Sequence, residues 1–241
     1  HLISPTHYLR DGSLHKTTRY WTSGITLPYL KAITPPEHSV SFTDELMQDL
    51  DVERVEREAD VVGLTAMGPQ IRRAYDLADR FRAHGKRVVL GGTWVSLTPE
   101  ASLQHADAVV AGEAEHVWAD VLQDLAAGRS RGIYRAEQWH DLAQVPTIDY
   151  WSLPLLKADA FRTSWLYRQY FFCPIFFSRG CPHPCDYCAV QTYYQRSFRT
   201  RPTAAFIDEI RRMKAFGAKR FLLLDDNPIA HPEKAKELFR A

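Results

Sequence analysis

Short apolar runs and segments of helical period alternate along the first half of the chain. Leu2-Ile3, His38 to Phe42, Ala59 to Leu64, Arg87 to Leu90 and Ala106 to Val110 each read as a short strand. Between the third and fourth runs, Ile71, Ala74, Tyr75, Ala78 and Phe81 recur at helical spacing. Arg72, Arg73, Asp76 and Asp79 fall off that face, and Gly85 ends the pattern. After the fifth run, Val117, Val121, Leu122 and Leu125 mark a second amphipathic helix, ended by Gly128. Strands alternating with helices predict a parallel sheet covered on both faces, so residues 1–128 read as a doubly wound α/β domain.

Residues 129–173 change character and read as an aromatic-rich linker, with Tyr134, Trp139, Tyr150, Trp151, Phe161, Trp165, Tyr167, Tyr170, Phe171 and Phe172. Pro146 and Pro154 break regular structure there. Such a stretch either covers an apolar ligand or packs one domain on another. From Pro174 a second α/β unit begins. Ile175 to Phe177 reads as a buried strand, a cysteine-rich loop follows, Ile207, Ile210 and Met213 mark a helix that stops at Gly217, and Phe221 to Leu224 is the next strand. Residues 174–241 hold far less than the roughly 250 residues of a complete β/α barrel. With His1 in place of Met at the start and a helical pattern running to Ala241, the chain is expected to be a fragment. The outer edge of its last strand is expected to be unpaired.

The crevice of a sheet ordered 2-1-3-4-5 lies at the carboxyl ends of strands one and three. Pro5-Thr6-His7, Thr65-Ala66-Met67-Gly68 and Gly91-Gly92-Thr93 all follow strands that end there. Glycines allow a bulky ligand to approach the backbone, and the Thr65 hydroxyl can hydrogen-bond it, although Gly91-Gly92 also suits a plain tight turn. No Gly-x-Gly-x-x-Gly follows the first strand, which argues against a dinucleotide site.

Composition adds mainly exclusions. Of 241 residues, 30 are Lys or Arg and 29 Asp or Glu, so no charge bias points to nucleic acid or an anionic membrane. Only the local group Arg196, Arg199, Arg201 is poised to meet a phosphate or carboxylate. No apolar run reaches the roughly 20 residues of a membrane span. Clustered thiols and the lack of a leader-like start suggest a reducing, cytoplasmic setting.

The strongest chemical signal is Ser178-Arg-Gly-Cys-Pro-His-Pro-Cys-Asp-Tyr-Cys188. Three thiolates from Cys181, Cys185 and Cys188 on one loop can hold three irons of a four-iron, four-sulfur cluster and leave the fourth open. A structural zinc site would need His183 as fourth ligand, and a ferredoxin cluster would need a fourth cysteine at another spacing. Cys173 reads as a small core residue. Asp225 and Asp226 stand at the end of the second strand of this unit, where they either face a ligand or cap the next helix.

The cysteine run resembles the Cys-x3-Cys-x-aromatic-Cys loop of the radical S-adenosylmethionine (SAM) enzymes, with Tyr187 in the aromatic slot. Thr65-x-Met67 and Gly91-Gly92 resemble the Ser-x-Leu and Gly-Gly elements of cobalamin-binding domains. The stretches Val88 to Pro99 and Val110-Ala-Gly-Glu-Ala-Glu115, and the order of the two regions, are similar to cobalamin-dependent members. The resemblance implies a Rossmann-like cobalamin-binding domain, followed by the start of a radical SAM (β/α) partial barrel. It implies a [4Fe-4S] cluster on Cys181, Cys185 and Cys188. Tyr187, Asp225, Asp226 and Arg199 would lie near SAM, and Thr65, Met67, Gly91 and Gly92 near the corrin. The Asp-x-His-x-x-Gly cobalt ligand motif of other cobalamin proteins is absent, so His7 is expected to be a surface or packing residue and cobalt to lack a protein imidazole.

In the family one SAM supplies a methyl to cobalt and a second yields a 5′-deoxyadenosyl radical. The implied function is methylation of an unactivated carbon of a small molecule, with flavodoxin or ferredoxin as electron donor. The alternatives are a radical SAM cyclase or rearrangement enzyme without methyl transfer, and a non-catalytic zinc- or cobalamin-binding module.

Overall fold

The computed structural model describes residues 1–17, 22, 24–149, 171–215 and 217–241. Tyr150, Trp151, Pro154, Phe161, Trp165, Tyr167 and Tyr170 of the aromatic segment lie outside the described residues. The chain divides into two compact units, His1–Arg19 with Thr26–Trp139, and Tyr20–Ile25 with His140–Ala241.

The first unit is built on a six-stranded sheet. Its strands are β1 (Leu2–Ser4), β2 (Phe42–Asp44), β3 (Val61–Thr65), β4 (Arg87–Gly91), β5 (Ala108–Val110) and β6 (Ile133–Tyr134), in the order β2-β1-β3-β4-β5-β6. Every neighbouring pair is parallel. The first five strands take the expected order, with two differences. β2 begins at Phe42 rather than His38, because Phe42, Thr43 and Asp44 are the residues in register with Leu2, Ile3 and Ser4. β6 falls in the stretch read as linker; at two residues it is too short for any periodicity to reveal.

Successive strand residues point to opposite faces, and each face meets its own helices. On one face Ile3, Val62, Leu64, Val88, Leu90 and Val109 pack on α2 (Val52–Glu58) through Val55 and on α3 (Ile71–Ala83) through Ala74, Leu77, Ala78 and Phe81. On the other, Leu2, Val89, Ala108 and Val110 meet Leu27 of α1 (Thr26–Ile33) and Trp118, Val121, Leu122 and Leu125 of α6 (Trp118–Ala126). Phe81 is fully buried, and a side chain of that class contributes about 1.5–3 kcal/mol by leaving water. The expected helical patterns are therefore α3 and α6. The short helices α4 (Thr93–Leu97) and α5 (Pro99–Leu103) follow β4.

The second unit contains β7 (Cys173–Ile175), β8 (Ser178–Gly180), α7 (Ala189–Tyr194), β9 (Phe198–Thr200), α8 (Thr203–Ala215), β10 (Phe221–Leu223) and α9 (Pro232–Arg240). β7 and β10 pair in parallel with Cys173 beside Phe221, so β7, α8 and β10 include the β–α–β step expected at the start of a barrel. The first strand sits two residues before the expected Ile175 to Phe177, because the Phe177 amide is held by a side chain, Asp225, rather than by a strand. β8 and β9 form an antiparallel pair that hydropathy does not betray. Arg201, one of the local basic group expected to meet a phosphate or carboxylate, is buried instead. Its guanidinium pairs with Glu209 of α8 and donates to the Phe176 carbonyl at 3.2 Å. A buried charge with a partner inside the fold serves packing.

Candidate functional site

In the first unit, register places the candidate residues together. Thr65 is the Cα partner of Gly91, so the last residues of β3 and β4 lie side by side at the carboxyl edge of the sheet. The chains stay in contact beyond their strands, with the Ala66 amide donating to the Gly91 carbonyl at 2.9 Å and the Trp94 amide to the Ala66 carbonyl at 3.3 Å. Gly92 has φ +100°, and a Cβ there would stand 2.7 Å from the backbone N and O of Ala66 and 2.9 Å from Thr65 Oγ1. Gly92→Ala is therefore expected to lower stability by about 1–3 kcal/mol for the backbone conformation alone. A fall in the urea midpoint at constant slope would record it.

The same edge exposes apolar surface. Met67 is 61% and Trp94 41% exposed, although both side chains are large enough for a core. Two such residues flanking a glycine turn suit a flat apolar ligand better than they suit water. Next to them, Ser96 Oγ donates to the Gly92 carbonyl at 2.8 Å and accepts the Gly112 amide at 2.9 Å, bracing the β4 turn against the loop after β5. Thr65, Met67, Gly91 and Gly92 thus meet at one sheet edge beside exposed apolar surface, a lining that can take the flat edge of the corrin that the resemblance implied. His7 lies half-buried with its ring edge-on to His15, 4.8 Å between centroids.

Three residues that support this edge carry no sequence signal. Gln70 accepts the Met67 amide at 2.9 Å and donates to the Pro5 carbonyl at 2.8 Å, joining the loops after β3 and β1. Glu45, 1% exposed, accepts the Thr6 amide at 3.1 Å and pairs with Arg73 of α3 at 2.6 Å. A buried carboxylate with a charged and a backbone partner is stable only in that arrangement, so the loop after β1 is held in one place.

In the second unit the cysteines follow β8 directly. Gly180 (φ +86°) closes that strand where a Cβ would run into the Ser197 carbonyl of the β9 side. Cys181, Cys185 and Cys188 are free and half-buried on the loop, and Cys188 precedes the first residue of α7. Among the described residues no three His, Cys, Asp or Glu side chains gather around a point as a single ion would require. A cubane takes its thiolates on separate irons and asks for three thiols along one accessible loop, which this loop provides. Tyr187, between the second and third, is 88% exposed. Cys173 is different: buried in β7, its thiol is pushed up to about 11 by loss of solvent, so it stays protonated and inert.

The acidic pair at the end of β10 grips the chain leading into this loop. Asp225 accepts the Phe177 amide at 2.8 Å on one oxygen and the Ser178 amide at 2.7 Å on the other, which also accepts the Ser178 hydroxyl. Asp226 accepts the Gly180 amide at 2.9 Å, and Asn227 donates to Cys181 Sγ at 3.6 Å. Burial, and then the nearby Asp226 charge, outweigh these hydrogen bonds and hold the Asp225 carboxyl above the usual carboxylate range. Asp226 and Cys181 thus share one loop junction, whereas Arg199 donates to the His140 carbonyl at 2.8 Å and lies 5.8 Å from the Tyr194 ring. No helix among the described residues is long and apolar enough to cross a membrane.

Comparison with known proteins gives matches to both regions. The B12 binding domain family model matches residues 22–122, and the radical SAM superfamily model matches residues 175–241. Among curated relatives, bacteriochlorophyllide d C-8(2)-methyltransferase of Chlorobaculum tepidum is 29% identical over 84% of this chain and 45% of its own length. Bacteriochlorophyllide d C-12(1)-methyltransferase of the same organism is 34% identical over 74% of this chain and 38% of its own. An anaerobic magnesium-protoporphyrin IX monomethyl ester cyclase of Rubrivivax gelatinosus is 27% identical over 81% and 39%. The chain spans less than half the length of each of these three relatives. Among solved structures, the radical SAM methyltransferase TsrM of Kitasatospora setae, with cobalamin and a [4Fe-4S] cluster bound, superposes with a TM-score of 0.70. The sequences are 16% identical, and the match covers 99% of this chain and 50% of TsrM, a likeness of fold.

Proposed function

We propose, for a chain that belongs to the radical SAM proteins carrying a B12 binding domain, that the whole protein is a cobalamin-dependent C-methyltransferase acting on an unactivated carbon of a small molecule. The observation that carries this reading is the three-thiol loop at the end of β8, gripped by the acidic end of β10, in a chain that also gathers Thr65, Gly91 and exposed Met67 at one sheet edge. Cys181, Cys185 and Cys188 hold the cluster. A [4Fe-4S] cluster with an open iron supplies one-electron cleavage of SAM, and cobalamin supplies methyl transfer.

The chain's own residues orient and shield. Asp226, exposed beside the loop, meets the ammonium or ribose of SAM, and Tyr187 supplies a ring for the adenine. Arg199 offers positive charge at β9. Asp225 contributes by fixing Phe177 and Ser178. Thr65, Met67, Gly91 and Gly92 line the corrin side, where the backbone approach at Gly92 excludes any side chain. An electron donor such as flavodoxin or ferredoxin and a reducing, cytoplasmic setting follow from the cluster chemistry.

The likeness to the ring cyclase keeps a second reading, radical chemistry without methyl transfer. The deciding experiment is turnover with methyl-deuterated SAM after anaerobic reconstitution with iron, sulfide and cobalamin. Label in the product is the expected outcome; unlabelled product with 5′-deoxyadenosine formed selects the cyclase-like reading, and zinc in place of iron discards both.

A further inference from the structure

We propose that Asn227 is a positioning residue of the cluster loop that also raises the reduction potential of the cluster, by donating its side-chain N–H to the Cys181 sulfur. The inference rests on the cluster assigned above.

Three successive residues after β10 engage the chain around the loop in order. Asp225 takes the amides of Phe177 and Ser178, Asp226 takes the amide of Gly180, and Asn227 reaches Cys181. The first two contacts fix the backbone on both sides of the gap, so the third is set by register rather than by a loose side chain. The amide orientation is fixed as well. Asn227 Oδ1 accepts the Ile229 amide at 3.3 Å, and the Ala230 amide donates to the Asn227 carbonyl at 3.2 Å. With the oxygen committed to that turn, Nδ2 is the atom left facing Cys181 Sγ, at 3.6 Å. An asparagine in an Asx turn is commonplace, but a turn alone would not aim the donor at one of the three loop thiols.

A one-electron reduction adds negative charge that spreads over the cluster and its thiolate sulfurs. A donor to one sulfur stabilises the reduced form more than the oxidised form, and hydrogen bonds to sulfur are among the features that set these potentials. Asn227 therefore makes reduction easier at the iron that Cys181 holds. Neither neighbouring acid takes its place, because their oxygens are engaged by the Phe177, Ser178 and Gly180 amides.

The test is an EPR-monitored redox titration of the reconstituted full-length protein and its N227L variant, which keeps the shape and removes the donor. At a fixed potential the variant is expected to show about a tenfold lower ratio of reduced to oxidised cluster, equivalent to a midpoint lower by about 59 mV for one electron. Iron per chain is read in parallel. Should Leu prevent cluster assembly, N227S serves, because its hydroxyl can still accept the Ile229 amide but is too short to reach the sulfur; the same lowering is expected. An unchanged midpoint with full iron in either variant overturns the proposal and leaves the functional reading intact. Wild-type protein that takes up no iron overturns both.

Discussion

Replacing any one of Cys181, Cys185 and Cys188 with alanine is expected to bring bound iron from about four per chain to background and to abolish 5′-deoxyadenosine formation. Each thiolate would hold a different iron, and the fourth iron has no protein ligand to compensate, so losing one leaves a cubane on two anchors. The loss should be of function and not of fold. All three side chains are half-buried on a loop, and substitutions away from the core usually change stability by no more than about 0.5 kcal/mol. Cys173→Ala supplies the internal contrast. That thiol is buried in β7 and inert, so its removal is expected to cost about 1 kcal/mol and to keep the iron. Iron and sulfide assays beside circular dichroism decide the matter. Stoichiometric iron in any loop variant would falsify the ligand assignment, and iron loss in Cys173→Ala equal to that in the others would show only that the unit had unfolded.

What could be read from the chain and what could not divide along physical lines. Periodic burial is written residue by residue, so β3, β4 and β5 and the helices α3 and α6 follow from the apolar pattern, and the Cys spacing announces its own chemistry. The sheet register then brings Thr65 beside Gly91 without further information. Other features depend on partners far away in sequence. Glu45 looks like a surface acid until the fold places it against Thr6 and Arg73. Arg201 looks like part of a basic patch until Glu209 and the Phe176 carbonyl enclose it. Asp225 was readable as a SAM contact or a helix cap, yet its oxygens are taken by amides 47 and 48 positions upstream. Short elements such as β6, with two residues, carry too few positions for any pattern to emerge.

The second large effect is expected at Asp225. Asp225→Ala leaves the Phe177 amide, the Ser178 amide and the Ser178 hydroxyl without their acceptor in a region where Phe177 and Ser178 are buried. Each orphaned donor costs about 1–3 kcal/mol, so the three together are expected to cost about 3–9 kcal/mol, much of the stability of an ordinary domain. Asp225→Asn should be milder in volume but still costly, because its amide nitrogen would meet a donor on one side. Both variants should also lose iron, since the freed segment leads straight into Cys181. The titration of Asp225 gives a sharper signature. Burial holds its folded-state pKa above the unfolded value of about 3.9, so between those values the native state binds a proton that the unfolded chain has released. The stability this titration contributes is complete below the unfolded value and is lost as pH rises through the folded one. Asn has no such proton to bind, so the stability advantage of the wild type over Asp225→Asn should be largest at low pH and narrow across that window. Urea unfolding of both proteins at several pH values measures the gap; a gap that widened with pH would mean that the carboxyl is held low, by its hydrogen bonds, rather than high, by burial.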